Sequence, residues 1–138
     1  MGMSIVETLF DVGQKLFGLK VELAKARQAR KQEVAGYLAA IAQTIEEANA
    51  ELRQGTYPHG KCQELFVHSQ NMAAAIGDLV GLPLANALGA QLAEVHEIER
   101  LHAELGADSD AERVRKLDLL DQAAGQFRAT AAFVRVSP

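Results

Sequence analysis

Apolar side chains recur every three or four residues through five stretches of this 138-residue chain, and none of its three prolines, Pro58, Pro83 and Pro138, interrupts one of them. That spacing is the period of an α-helix, and five such runs leave little chain for any other structure. The dominance of Ala, Leu, Glu and Gln points the same way, as does the absence of tryptophan. The spacing predicts helices over residues 4–23, 34–54, 61–80, 84–105 and 109–134.

Four of these read as the members of a bundle. The second repeats as Val34, Leu38, Ile41, Ile45, Ala48 and Leu52, a narrow seam with Glu46, Glu47 and Glu51 mostly outside it. "QGTYPHG" at 54–60 ends that helix, since Gly and Pro stop helices. "GLP" at 81–83 joins the third to the fourth, with Pro83 tolerated in a first turn. Gly106 closes the fourth, and Ser109 with Glu112 forms the capping box that opens the last. Its repeat runs Leu117, Leu120, Ala124, Phe127, Ala131, Val134. Short connections between long amphipathic helices predict an all-α fold: an antiparallel four-helix bundle with an additional N-terminal amphipathic helix. With 49% apolar and 23% charged residues the chain suits one domain with one core. The expected division is 4–23 for the N-terminal helix, 24–33 for a basic tether and 34–136 for the bundle, the whole being a domain cut from a longer protein.

The N-terminal helix is the unusual piece. Ile5, Leu9, Val12, Leu16, Leu19 and Leu23 form one apolar row, and Val6, Phe10, Gly13 and Phe17 form a second beside it. Together they cover about half the circumference, wider than the roughly 100° stripe of a surface helix. Extending this register forwards meets Ala26 and Arg30, and extending the bundle register backwards from Val34 meets Lys31, Arg27, Ala24 and Lys20. Neither stays apolar, so residues 24–33 are expected to be a weak joint. Residues 20–31 carry Lys20, Lys25, Arg27, Arg30 and Lys31 against a single acid, Glu22. An amphipathic helix followed by clustered bases is the pairing that meets anionic lipid. The expected membrane-binding residues are Ile5, Val6, Leu9, Phe10, Leu16, Phe17 and those five bases. The competing reading is ordinary core packing with solvated bases, and Glu7 and Asp11 count against deep insertion.

Other chemistries find less to stand on. A net charge of −4 argues against a nucleic-acid binder. One cysteine, Cys62, rules out an internal disulfide and fits a reducing, cytoplasmic compartment. No stretch approaches the roughly 20 apolar residues of a membrane span, and Glu7 and Asp11 spoil a signal-peptide pattern. "YPHGKC" places His59 near Cys62, with His68 further on, but a zinc site needs about four ligands, commonly in paired motifs. Glu99 and His102 have the Glu-x-x-His spacing of di-iron bundles, which require a second such motif, and the pair Glu64 and His68 has a different spacing. No phosphate loop, dinucleotide fingerprint or nucleophile elbow is present. The expectation is a non-enzymatic domain with no catalytic residue, metal or cofactor.

An N-terminal amphipathic helix on a compact four-helix bundle, spanning Ser4 to Val134, resembles in layout the HeLo-like and bell-type cell-death effector domains, including the executioner domain of the mixed-lineage kinase-domain-like proteins. The resemblance implies an innate-immune or antiviral defence effector that self-associates on activation by a sensor or signalling domain, moves from the cytoplasm to the membrane, and perturbs it through its N-terminal region. Residues 5–23 would then be the membrane-active piece. The alternative is a helical protein–protein interaction or oligomerisation domain without membrane activity.

Overall fold

A computed structural model describes residues 5–56, 58–94, 102 and 105–137, without the side chains of Ile5, His59 and Cys62. Among these the fold is all-α, with seven helices: α1 (Ile5–Gly18), α2 (Lys20–Ala24), α3 (Gln28–Arg53), α4 (His59–Gln70), α5 (Met72–Val80), α6 (Leu82–Ala93) and α7 (Asp110–Val136).

The two longest helices, α3 and α7, form the backbone of the molecule and run antiparallel. Lys31 meets Ser137 at one end of the pair, while Arg53 meets Asp118 at the other. Their seam is the apolar register expected from the sequence: Leu38, Ile41 and Ile45 on α3 face a core shared with Leu120, Phe127 and Val134 on α7, all buried. Polar pairs run along its edge. Arg128 grips Glu46 through both Nε and Nη2, and Asn49 Nδ2 donates to Asp121 Oδ1 at 2.5 Å.

α4 and α5 cover α3 from the other side, and α6 folds back over them. The reversal falls at Gly81, whose φ of 95° lies in the region glycine adopts readily and other residues do not. Gly89 lets α6 approach so closely that a Cβ there would stand 2.8 Å from the Ser69 carbonyl oxygen. α1 packs mainly on α7, running parallel to it, and also touches α6. Gly13 makes that contact close, with Phe127 and Gln126 beside it.

Several boundaries differ from those the spacing predicts. The first helix breaks at Leu19, just after Gly18, so α2 is a separate five-residue turn. The third breaks at Asn71 into α4 and α5. The second begins at Gln28, six positions before Val34. Only Lys25–Arg27 is non-helical in the stretch read as a tether, because Gln, Ala, Arg and Lys sustain a helix without an apolar seam. The predicted fourth helix extends beyond Glu94 into residues that lie, for the most part, outside those described.

Candidate functional site

α1 presents its apolar rows inwards. Val6, Leu9, Val12 and Leu16 are completely or almost completely buried, Phe10 and Phe17 are half-buried, and Ile5 lies outside the described side chains. Of the residues singled out as membrane-binding, Val6, Leu9 and Leu16 are therefore core residues in this conformation. The wide apolar arc is used because α1 is wedged against both α7 and α6, and a helix between two neighbours needs more than one stripe. Its polar flank is tied down as well: Lys15 pairs with Asp11 at 2.8 Å, and Gln91 of α6 donates to Asp11 at 2.6 Å. These bonds hold the Asp11 carboxyl below its usual pKa, Lys15 contributing most.

The five bases divide into two groups. Lys20 stacks over the Phe17 ring at 3.8 Å from its centroid and lies 5.8 Å from that of Phe133, joining the end of α1 to the end of α7. Arg30 reaches across to α5, donating to the Ala75 carbonyl at 2.9 Å and to Asp78 at 2.6 Å. Lys31 is only 2% exposed, and its Nζ donates to the Ser137 carbonyl at 2.8 Å. Lys25 and Arg27, by contrast, are exposed and make no ion pair among the described residues. The expectation of a weak joint over residues 24–33 is corrected at Arg30 and Lys31, which are tied to α5 and to Ser137. Their long stems and charged heads bolt the start of α3 to α5 and α7, replacing the apolar register that fails there. A pattern search for apolar spacing has no means of finding such an anchor.

The histidine candidates fare differently. His68 sits in a cluster inside the α3–α4 contact: its carbonyl accepts from Tyr37 Oη at 2.5 Å, its Nε2 lies 3.4 Å from Thr44 Oγ1, and the Tyr37 and His68 rings meet edge to face. Burial lowers the His68 pKa, against the pull of Glu64, and raises that of Tyr37. Both side chains are neutral at pH 7 and knit two helices together. Glu64 instead pairs with Lys61 at 3.1 Å. His102 is near the Gly55 carbonyl, while His96 and Glu99 lie outside the described residues. No three His, Cys, Asp or Glu side chains converge among the described residues, and no helix there is long and apolar enough to cross a membrane.

No family model, curated protein or solved structure matches this chain.

Proposed function

We propose that this chain is a non-enzymatic effector domain of the cell-death or defence kind, which self-associates and perturbs anionic membranes through α1. The observation that carries the reading is the way α1 is attached. Val6, Leu9, Val12 and Leu16 are buried in the core, yet two interruptions separate α1 from α3: the break at Leu19 and the turn at Lys25–Arg27. Neither α2 nor α3 has a side-chain cap at its start. A helix held mainly by apolar packing, with Gln91 of α6 its polar tie through Asp11 and Lys15, can on a jointed connection exchange one apolar environment for another while its neighbours keep their backbone hydrogen bonds. The bases that follow supply attraction to anionic headgroups.

A reversible lock tests this. A Cβ at Gly13 would stand 3.1 Å from Gln126 Cβ, so a shift of α1 by under about 1 Å brings Gly13→Cys and Gln126→Cys to the spacing of a disulfide, about 3.8 Å. The pair is introduced in a Cys62→Ser background. Reduced protein should release dye from vesicles containing phosphatidylserine, while oxidised protein should release it at least tenfold more slowly and recover on reduction. Equal leakage in both states would remove the role given to α1. Absence of leakage from the unmodified chain would remove the membrane reading and leave the interaction-domain alternative.

A further inference from the structure

Seven large apolar side chains are exposed among the described residues, and five of them gather at one end of the bundle. Val21 lies on α2, Leu82 and Leu84 open α6, and Phe133 and Val136 close α7. The polar bonds already described bring these segments to the same end. Lys20 links α1 and α2 to Phe133, Lys31 links the start of α3 to Ser137, and Arg30 links it to the end of α5. The remaining two, Val67 and Val114, lie on α4 and near the start of α7, away from this end.

Charge is gathered there too. Residues 19–33, 75–84 and 130–137 hold six bases (Lys20, Lys25, Arg27, Arg30, Lys31, Arg135) against three acids (Glu22, Glu33, Asp78), in a chain of net charge −4. Three of the six, Lys25, Arg27 and Arg135, are exposed and make no ion pair among the described residues. An apolar tip ringed by unneutralised bases, on a molecule that is otherwise acidic, matches one partner in both respects: the interface of an anionic bilayer, with headgroups for the bases and acyl chains for Val21, Leu82 and Val136. The acidic remainder would be repelled by the same surface, which orients the molecule end-on.

We infer that this end is the membrane-docking surface, and that docking takes place with α1 still packed in the bundle. The inference rests on the membrane reading above but separates its two steps. Attraction uses side chains already outside, and α1 acts only afterwards. The docked state needs no refolding, since its contacts are exposed at 53% for Val21, 58% for Leu82 and 78% for Val136.

The experiment is co-sedimentation of the full chain with vesicles of phosphatidylcholine and phosphatidylserine at 0.1 M salt. Neutralising Lys25, Arg27 and Arg135 together to Gln should weaken binding about 100-fold, on about fivefold per base. Leu82→Asp with Val136→Asp should abolish it. All five positions are exposed, so unchanged circular dichroism and melting separate lost binding from lost fold. The oxidised Gly13–Gln126 lock should bind as tightly as its reduced form. If the charge and apolar variants bind like the unmodified chain, or the locked form does not bind, this inference falls while the membrane reading stands. Failure of the unmodified chain to bind would end both. A change of oligomeric state without lipid, with vesicle binding intact, would make this end a contact between copies and also overturn the inference.

Discussion

Glycine shows at single residues how differently one residue type is used along this chain. Gly89 is buried where α6 crosses α4 and α5, and a methyl group there would meet the Ser69 carbonyl oxygen at 2.8 Å and Met72 Cβ at 3.3 Å. The first of these is backbone and cannot swing aside, so Gly89→Ala must push two helices apart and should cost about 1–3 kcal/mol. Gly36 sits exposed within α3 with nothing within 4 Å of its would-be Cβ. Gly36→Ala should therefore stabilise by about 0.5–1 kcal/mol, through helix propensity and a less flexible unfolded chain. Denaturant melts of the two variants should move in opposite directions; a neutral Gly89→Ala would mean that α6 packs less closely. Neither role was legible beforehand, because a helical glycine looks the same in sequence whether it faces solvent or a neighbour's carbonyl.

Elements were legible where apolar spacing made them and obscure where polar bonds did. The α3 and α7 seams lie where the repeat of Val34 to Leu52 and of Leu117 to Val134 places them, and Ser109 accepts from the Glu112 amide as the capping box requires. The start of α3 was missed because its hold on the bundle comes from Arg30 and Lys31, residues that a periodicity argument counts as solvent. The breaks at Leu19 and Asn71 follow single weak helix formers, Gly18 and Asn71 itself, signals too common to place a boundary. Of the residues that the sequence singles out in α1 and the joint, the apolar and basic character was legible, while the burial of Val6, Leu9, Leu16 and Lys31 needed their neighbours. The joint yields its own prediction. Lys31→Glu sets a nearly buried carboxylate against the Ser137 carbonyl and should destabilise by several kcal/mol, as an uncompensated buried charge does. Arg27→Glu, exposed one turn earlier, should change the melting temperature little. Equal effects of the two in thermal melts would restore the loose tether that the sequence alone implies.

For the molecule as a whole, the decisive quantity is what α1 contributes to a core that it shares with every other helix. Full burial of an aliphatic side chain is worth about 1.5–3 kcal/mol, so Val6, Leu9, Val12 and Leu16 together supply about 6–12 kcal/mol. That is comparable to the entire stability of a small domain, about 5–15 kcal/mol. Spontaneous release of α1 in water would expose Phe127 and the floor of the α7 contact and leave the remaining helices close to unfolding. The proposed release would therefore have to be coupled to a second apolar environment that takes up the same faces, such as lipid or neighbouring copies, and the proposed docking would put that environment within reach. The consequence is measurable without any membrane. A chain lacking residues 1–18 should keep much of its helical circular dichroism but lose its cooperative thermal transition and bind a hydrophobic dye, the behaviour of a compact state without fixed packing. If it instead melts cooperatively within a few degrees of the full chain, α1 is an appendage whose removal the bundle tolerates, and its release needs no partner at all.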